Sequence, residues 1–497
     1  MREPVDWPTV DLLTHRVETT PERTALVDAD GGERRTYREL DAAVDSVATA
    51  LAQRLGDGGT RVATLVDTRP AVARLLFGAM RLGVTLAPLN VELDAGVLRS
   101  QLRTLEADLL VCGRETGPLA ADIADCAVVS VDDPATDSVS SLESRQGSAV
   151  DPVTLDRDET ALVLFTSGTT SDPKGVRLTM GNIVASATAS AFRLGVDPTD
   201  RWLVCLPTYH MGGLAPLVRS ALYGTAVVVQ RGFDPERTAA AMVNYGVTGV
   251  SLVPTLVQRL LDSGWDPPES LRFVLLGGGP ASPELVERSR ERGVPVCPTY
   301  GMTETASQIA TALPQTAFDH EGTVGQPLIN TDVSVLDGGE PTAPGERGEL
   351  AVSGPTVTPG YLDDDHTAAA FDDDGFHTGD IGYRDTAGRL WVVGRADDRI
   401  VTGGENVAAD AVATVIRDCP SVRDAAVVGL PDEEWGQRVA ALVVGDADRE
   451  TVFAHCRAEL ADYEVPKTVA FADELPRTAS GTVDRAALRT RLRADSR

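Results

Sequence analysis

Hydrophobic residues in the first two thirds of the chain follow two alternating spacings. Residues 38–55 carry apolar side chains three and four positions apart, which predicts an amphipathic helix, whereas the short, mostly apolar runs Arg61–Leu65 and Phe273–Leu276 predict buried strands. Strands that alternate with helices are typical of a parallel sheet covered by helices. Further elements of these two kinds are predicted as a helix at 71–82 and strands at 107–112, 161–165, 202–206, 226–230 and 249–253.

The pattern changes after Thr331, where short β runs are separated by polar turns. These runs lie at 333–336, 348–353 and 390–393. Beyond Arg399 the chain again mixes the two spacings, which predicts helices at 408–417 and 451–460 and strands at 425–429 and 439–444. We therefore predict an α/β protein with an N-terminal domain at residues 1–396 and a C-terminal domain at residues 397–497.

The charge of the chain excludes two classes of partner. It has 74 acidic and 45 basic residues, a net charge of −29, and a surface this negative repels nucleic acid and anionic lipid. Self-repulsion of this size destabilises a compact fold unless salt screens it, which favours a halophilic protein in a salt-rich cytosol. The alternative is an ordinary acidic protein from a GC-rich genome, in which arginine replaces lysine for codon reasons. Lysine occurs only at Lys174 and Lys467.

Other features of the composition favour a soluble, cytoplasmic protein without membrane insertion. Every apolar run is interrupted before it reaches the length of a membrane span, and residues 1–21 contain charged residues and no apolar signal core. The six cysteines are scattered without a close pair, which argues against a zinc site and against a disulfide framework.

One segment has the composition of a phosphate-binding loop. An apolar run at 162–165 is followed by small, mostly hydroxylated residues and then by Lys174 between a proline and a glycine. Small residues let backbone N–H groups point into a concavity, and hydroxyls add donors for phosphate oxygens. The glycine spacing differs from that of the GxxxxGK[ST] loop. We predict that ATP phosphates bind to Thr166, Ser167, Gly168, Thr169, Thr170 and Lys174.

Together with this loop, six further motifs resemble the adenylate-forming (AMP-binding, acyl-CoA synthetase) superfamily over nearly the whole chain. They lie at 206–210 (LPTYH), 277–280 (GGGP), 300–305 (YGMTET), 378–380 (TGD), 394–398 (GRADD) and 476–478 (PRT). The resemblance implies a large domain of helix-flanked mixed sheets with a β-barrel-like subdomain, and a small, mobile α+β C-terminal domain. It implies ATP, Mg²⁺ and CoA as ligands. The implied reaction forms an acyl-adenylate and pyrophosphate, and then a CoA thioester and AMP.

The resemblance also implies roles for single residues. Glu304 would hold a Mg²⁺ ion bound to the ATP phosphates, and Thr303 would offer its hydroxyl to the α-phosphate. Asp380 would accept both ribose hydroxyls, and Tyr300 would offer a flat face to adenine, unless it is plain core packing. The remaining predicted ATP-binding positions are Gly277, Gly278, Gly279, Gly301 and Arg395.

Four residues have implied roles in the thioester step. A lone histidine is usually a satisfied core residue, but the family implies that His210 lines the acyl pocket and gates thiol access. Asp397 would be the hinge of the C-terminal domain. Gly403 and Gly404 would let the backbone pass beside the pantetheine of CoA.

The chain departs from the family at Thr482, where the family pattern has a lysine that neutralises charge during adenylation. Arg477, Arg485 or Lys467 could stand in for it, and we expect the two arginines to act in catalysis. The alternative is a protein specialised for the second half-reaction, or a weakened enzyme.

Two segments, 210–224 and 300–328, resemble the branch of the superfamily that joins 2-succinylbenzoate to CoA in menaquinone biosynthesis. That acid has two carboxylates, and Arg219 on an otherwise apolar helix could bind the one that is not activated. The alternative is a structural salt bridge of Arg219. Ser307 and Gln308 would line the same cavity.

We therefore predict an acid–CoA ligase (AMP-forming) that acts on 2-succinylbenzoate. The alternatives are a ligase for another fatty or aryl acid, an adenylation enzyme that loads a carrier protein, and a non-catalytic nucleotide-binding relative. The sequence leaves open whether the chain forms a homodimer.

Overall fold

The computed structural model describes residues 10–56, 58–142, 150–166, 174–396, 399–402, 405–432, 435–477 and 483–494. The helices are α1 Leu12–Thr19, α2 Tyr37–Leu55, α3 Pro70–Leu82, α4 Ala95–Leu105, α5 Gly117–Ile123, α6 Met180–Leu194, α7 Met211–Tyr223, α8 Pro235–Asn244, α9 Pro254–Asp262, α10 Pro283–Glu291, α11 Pro314–Asp319, α12 Asp364–Ala370, α13 Ala409–Arg417, α14 Arg449–Glu459 and α15 Arg485–Ala494, with a short 3₁₀ helix at Thr303–Thr305.

The strands of the first half are β1 Thr24–Asp28, β2 Arg34–Thr36, β3 Arg61–Leu65, β4 Thr85–Pro88, β5 Leu109–Cys112, β6 Ala127–Ser130, β7 Ser140–Ser141, β8 Thr160–Thr166, β9 Lys174–Thr179, β10 Arg201–Val204, β11 Ala226–Val229 and β12 Gly249–Leu252. Those of the second half are β13 Phe273–Leu276, β14 Val296–Tyr300, β15 Ala310–Thr311, β16 Gln326–Pro327, β17 Asp332–Asp337, β18 Glu340–Pro341, β19 Gly348–Ser353, β20 Phe371–Asp372, β21 Gly375–Arg384, β22 Leu390–Arg395, β23 Arg399–Thr402, β24 Glu405–Ala408, β25 Val422–Asp432, β26 Gly436–Gly445 and β27 Thr468–Ala472.

The chain divides into two compact units. The first comprises residues 1–332 and 353–373, and the second comprises residues 333–352 and 374–497. The predicted hinge at 397 lies outside the described residues, and the predicted boundary between 396 and 397 stays a prediction.

Two mixed sheets form the first unit. The nine-stranded sheet has the order β16-β15-β14-β13-β12-β10-β11-β1-β2, and its strands β10 to β14 run parallel to their neighbours in the centre. The seven-stranded sheet has the order β7-β6-β5-β3-β4-β8-β9, in which only the edge strand β9 pairs antiparallel. The central strands β11, β12 and β13 are buried at every position, as expected of parallel strands covered on both faces.

Local sequence accounts for the ends of helix α2. At its start, the Thr36 hydroxyl accepts a hydrogen bond from the N–H of Glu39, and the Glu39 carboxylate accepts one from the N–H of Thr36. At its end, Gly56 adopts a φ of 63°, a conformation that glycine reaches without steric cost. The predicted helix at 38–55 is therefore confirmed, with one extra residue at its start.

A buried arginine joins the first three helices. Arg81 of α3 is 1% exposed and forms ion pairs with Asp11 at 3.2 Å, with Asp41 at 2.5 Å and with Asp45. Three carboxylates around one guanidinium satisfy a charge that would otherwise be costly to bury.

The second unit contains an antiparallel sheet and a separate α+β layer. In the antiparallel sheet, β18, β17, β19 and β21 are neighbours in that order, with β22 beside β21, and a half-barrel sheet is present, in agreement with the predicted β-barrel-like subdomain. The last sheet has the order β24-β23-β26-β25, with β27 parallel to β26. Alternate residues of β25 and β26 pack on α13 and α14 at one face and on α15 at the other, so both faces are buried.

The predicted α/β fold class is confirmed. The sheets are mixed because hairpins such as β8–β9 add antiparallel strands to the parallel centre. All six cysteines are free thiols. Within the described ranges, no helix has the length and hydropathy that a membrane span requires.

Candidate active site

The predicted adenine-binding residues lie at one edge of the nine-stranded sheet. Strands β13 and β14 are parallel neighbours, so their carboxyl ends meet there, which is where ligands bind in open α/β sheets. Gly277 follows β13, and Tyr300 ends β14 and is buried. A Cβ atom on Gly277 would lie 2.7 Å from the Thr299 Cγ2 atom, so glycine is needed for this close approach. The fold thus brings Gly277, Gly278 and Gly279 beside the end of β14.

The loop after Tyr300 is tightly folded. The N–H of Ile309 donates to the Tyr300 carbonyl at 2.7 Å, and a Cβ atom on Gly301 would lie 1.7 Å from the Ser307 carbonyl oxygen. Ala306 and Ser307 have φ values of 50° and 124°, which are unfavourable for residues with side chains. Strain of this kind costs about 1–3 kcal/mol per residue and is typical of functional sites.

Glu304 lies beside the phosphate hairpin. Strands β8 and β9 pair from Thr160 to Thr166 and from Lys174 to Thr179, so Thr166 lies opposite Lys174 at the end of the hairpin where residues 167–173 connect the two strands. The Tyr361 hydroxyl donates to Glu304 Oε1 at 3.0 Å, and Lys174 Nζ lies 5.3 Å from the centroid of the Tyr361 ring. Tyr361 therefore joins the predicted phosphate-binding lysine to the predicted metal-binding carboxylate.

Tyr361 is a site residue that no sequence motif predicted. The signal that could have found it is an aromatic residue directly after Pro359 and Gly360, which is weak without the structure. The predicted phosphate-binding residues Ser167, Gly168, Thr169 and Thr170 lie outside the described residues.

The residues present fit a Mg²⁺ ion shared with a nucleotide. Magnesium is usually held by one or two carboxylates together with substrate phosphates, and not by an all-protein cage. The half-buried Glu304 supplies one carboxylate, oriented by Tyr361. Among the described residues, no group of three or more His, Cys, Asp or Glu side chains could hold a metal ion by itself.

Arg219 is a buried cation, and the described residues place no carboxylate beside it. Arg81 and Arg219 are the largest fully buried side chains, but Arg219 has no carboxylate within 4.0 Å in the described part of the chain. Its Nη2 donates to the Ser307 hydroxyl at 3.2 Å, and its guanidinium lies 5.1 Å from the centroid of the Trp202 ring. Its buried Nε finds no partner among the described atoms, and burial lowers its pKa. Among the described residues, no carboxylate is therefore available for the alternative, a structural salt bridge of Arg219.

Gln308 also presents an unsatisfied atom. Its Nε2 donates to the Thr311 hydroxyl at 2.7 Å, while its buried Oε1 has no partner within the described ranges. Its neighbour Ser307 contacts Arg219, so the structure brings two of the four predicted acid-binding residues into direct contact.

His210 precedes helix α7, at the carboxyl end of strand β10. Its ring meets the Tyr209 ring edge-on at a centroid distance of 4.8 Å, and its Nε2 is buried with no partner in the described residues. Burial lowers the pKa of His210 to about 4, so the imidazole is neutral at physiological pH. A Cβ atom on Gly213 would lie 2.4 Å from the Pro207 carbonyl oxygen, so glycine lets the helix pack against the loop that carries His210.

The second unit carries the predicted ribose-binding residues. Asp380 lies in strand β21 and is buried beside Gly379, which has a φ of 69°, and its Oδ1 lies 3.3 Å from Nη1 of Arg395. The N–H of Gly379 donates to Glu349 Oε1 at 3.2 Å, and Glu349 Oε2 lies 3.1 Å from His377 Nδ1. Glu349 thus fixes the backbone of β21 at Gly379, and the two predicted residues, Asp380 and Arg395, are in contact.

The proposed substitutes for the missing lysine have partners of their own. Arg477 Nη2 lies 2.6 Å from Asp424 Oδ2, and Lys467 Nζ lies 3.2 Å from the centroid of the Trp435 ring. Arg485 begins helix α15. The predicted residues Asp397, Gly403, Gly404 and Thr482 lie outside the described residues, so their roles stay predictions.

Comparison with known proteins agrees with the motifs and the fold. Residues 13–362 match the AMP-binding enzyme family, and residues 411–482 match the AMP-binding enzyme C-terminal domain. The chain therefore belongs to the AMP-binding enzyme family, and the predicted resemblance is confirmed.

Within that family, the chain is similar to 2-succinylbenzoate–CoA ligases. It is 36% identical over 487 residues to the enzyme of that name from Bacillus pumilus (strain SAFR-032), covering 96% of this chain and 97% of that protein. The o-succinylbenzoate CoA synthetase of Bacillus subtilis, solved with the acyl-adenylate intermediate, superposes with a TM-score of 0.89 at 34% identity, covering 96% and 98% of the two chains. The same enzyme, solved with ATP and magnesium ion, gives a TM-score of 0.87 at 34% identity, covering 97% and 99%.

Proposed function

We propose that this protein is an AMP-forming acid–CoA ligase that converts 2-succinylbenzoate to 2-succinylbenzoyl-CoA in menaquinone biosynthesis, with ATP, Mg²⁺ and CoA. The observation that carries the choice of acid is Arg219, a fully buried guanidinium with no carboxylate partner among the described residues. Similarity to ligases of that name over nearly the whole chain supports the same conclusion.

The second carboxylate of the acid suits the surroundings of Arg219. A buried charge is costly unless it is paired, and a guanidinium binds a carboxylate through two parallel hydrogen bonds. Contacts with Ser307 and Trp202 hold the guanidinium in place before the acid binds. A mono-carboxylic acid would leave the charge of Arg219 unpaired, so the site favours an acid with two carboxylates.

Adenylation requires anionic groups to approach one another. An oxygen of the carboxylate that is activated attacks the α-phosphorus of ATP, and pyrophosphate leaves. Lys174 and the hydroxyl of Thr303 would bind phosphate oxygens and offset their charge as the bond forms. Glu304 would hold a Mg²⁺ ion, and the charge of that ion would stabilise the departing pyrophosphate.

Thioester formation follows when the CoA thiol attacks the acyl-adenylate carbonyl and AMP leaves. His210 is neutral at physiological pH, because burial lowers its pKa to about 4. Its uncharged ring can line the acyl pocket without attracting the phosphates, and its unpaired Nε2 can exchange a hydrogen bond with a group that enters.

CoA-thioester formation from 2-succinylbenzoate, octanoate and benzoate in high KCl tests the proposal. We expect thioester with 2-succinylbenzoate and far slower reaction with the other two acids. A preference for octanoate or benzoate would favour a fatty or aryl acid ligase. Pyrophosphate release without thioester would indicate a carrier-loading enzyme, and ATP binding without turnover would indicate a non-catalytic relative.

The net charge of the chain supports a salt-rich cytoplasm as the cellular location of the protein. A net charge of −29 with two lysines favours stability in high salt, where self-repulsion is screened. Light scattering in the same buffers would decide whether the chain forms the homodimer that the sequence leaves open.

A further inference from the structure

We infer that Tyr361 is a positioning residue that couples Lys174 to Glu304, and that it thereby sets how much a divalent cation strengthens nucleotide binding. This inference rests on the nucleotide-binding part of the proposed function and is independent of which acid is activated.

The segment around Tyr361 is fixed between the phosphate hairpin and the 3₁₀ helix that carries Glu304. The N–H of Thr358 donates to the Glu304 carbonyl at 2.7 Å, and the N–H of Leu362 donates to the Gly175 carbonyl at 2.8 Å. Between these two bonds, the N–H of Arg177 donates to the Gly360 carbonyl at 3.0 Å. One short segment therefore touches both elements that carry the predicted phosphate and metal ligands.

A buried amide anchors the start of this segment to helix α6. Asn182 is 7% exposed, and its Nδ2 donates to the carbonyls of Pro355 at 2.9 Å and Val357 at 2.8 Å. Its Oδ1 accepts from the N–H of Thr179, so the side chain cannot rotate without loss of hydrogen bonds. Contacts within the first unit thus fix the position of the segment.

The backbone also fixes the direction of the Tyr361 side chain. Gly360 has a φ of 135°, and a Cβ atom there would lie 2.4 Å from Thr367 Cγ2, so only glycine fits. The N–H of Tyr361 donates to the Thr367 hydroxyl at 2.9 Å. These constraints send the ring into the protein, where it is 4% exposed.

Each end of the Tyr361 side chain then contacts one of the two ligand-binding groups. The hydroxyl donates to Glu304 Oε1 at 3.0 Å, which restricts the rotation of the carboxylate. The ring lies 5.3 Å from Lys174 Nζ, within the range of a cation–π contact, which restricts the position of the ammonium. Groups that orient a metal ligand typically change metal affinity or activity about 10–100-fold when they are removed.

Two substitutions separate the two contacts. Tyr361→Phe removes the hydrogen bond to Glu304 and keeps the ring beside Lys174, whereas Tyr361→Leu removes both contacts. Tyr245→Phe is the matched control, because it removes a hydroxyl that donates to the Ala29 carbonyl at 3.2 Å, outside the predicted site. Circular dichroism and thermal unfolding verify the fold of each variant.

The measurement is calorimetric binding of a non-hydrolysable ATP analogue with and without Mg²⁺. In Tyr361→Phe, we expect the gain in affinity from Mg²⁺ to fall about tenfold while the metal-free affinity stays unchanged. Tyr361→Leu should weaken binding in both conditions, because Lys174 also loses its contact, and Tyr245→Phe should match the wild type. In ATP–pyrophosphate exchange, Tyr361→Phe should raise the half-saturating Mg²⁺ concentration about tenfold and change kcat little.

Two results would overturn the inference, and they are distinguishable. A folded Tyr361→Phe variant that keeps the full gain from Mg²⁺ refutes the role of Tyr361 and leaves the proposed function intact. A wild-type protein that binds no nucleotide in either condition refutes the proposed function and the inference with it.

Discussion

Replacement of Arg219 by leucine tests the choice of acid most directly. The substitution removes a guanidinium that is 1% exposed and keeps an apolar side chain in the same space. If Arg219 pairs with the carboxylate that is not activated, this carboxylate enters a buried site without a counter-charge. Loss of one partner of a buried ion pair costs about 3–5 kcal/mol. Since about 1.4 kcal/mol is a factor of ten, kcat/KM for 2-succinylbenzoate should fall about 10²–10⁴-fold.

The assay compares two acids. It measures kcat/KM for 2-succinylbenzoate and for a mono-carboxylic analogue that keeps only the activated carboxylate. The analogue should lose far less, because it forms no ion pair with Arg219. Part of any loss common to both acids would reflect the contact with Trp202, which is worth about 0.5–2 kcal/mol.

Arg81→Leu is the matched stability control. In the ligand-free protein, Arg219 has no carboxylate among the described residues, so Arg219→Leu should lower the free energy of unfolding by no more than the contribution of its contact with Trp202, about 0.5–2 kcal/mol. Arg81 has Asp11, Asp41 and Asp45 around it, so Arg81→Leu should lower the free energy of unfolding by about 3–5 kcal/mol. Equal activity losses for both acids, or a destabilisation by Arg219→Leu as large as that by Arg81→Leu, would show that Arg219 is structural.

Four further results are expected. Glu304→Gln should sharply lower pyrophosphate release without loss of the fold, and near-normal release would rule out the metal-binding role. Burial lowers the pKa of His210 to about 4, from about 6.5 in the unfolded chain, so protonation of His210 favours the unfolded state. Relative to His210→Gln, the free energy of unfolding of the wild type should therefore fall as the pH falls from about 6.5 to about 4. Parallel curves of stability against pH for the two proteins would contradict this role of His210. Arg477→Ala or Arg485→Ala should slow adenylation about 10²–10³-fold, and should slow thioester formation from acyl-adenylate far less. Thr482→Lys should rescue part of the loss in adenylation. If neither arginine affects adenylation and Thr482→Lys alone raises the adenylation rate greatly, the wild type is a weakened adenylating enzyme. The free energy of unfolding should rise with KCl concentration, and its independence of salt would favour the codon explanation of the arginine content.

The sequence alone determined those features that depend on local spacing and on short motifs. The helix at 38–55 and the strands at 61–65 and 273–276 follow from the spacing of hydrophobic residues. A helix that buries one face has apolar residues three and four positions apart, and a strand that buries both faces is a continuous apolar run. The motifs indicated the family for a similar reason, since a loop that binds phosphate needs small residues and a cation close together in the chain.

Only the tertiary structure decided how distant groups meet. Tyr361 and Glu304 are 57 residues apart, and no local pattern predicts that one hydroxyl donates to the other carboxylate. The sequence showed that Arg219 lies in an apolar helix, but only the packing shows that no carboxylate of the described chain pairs with it, whereas three carboxylates surround Arg81. The fold of the loop over Gly301, and hence the contact of Ser307 with Arg219, also arises from packing. Contacts of this kind depend on which surfaces the whole chain buries together, and that information is spread over all of its residues.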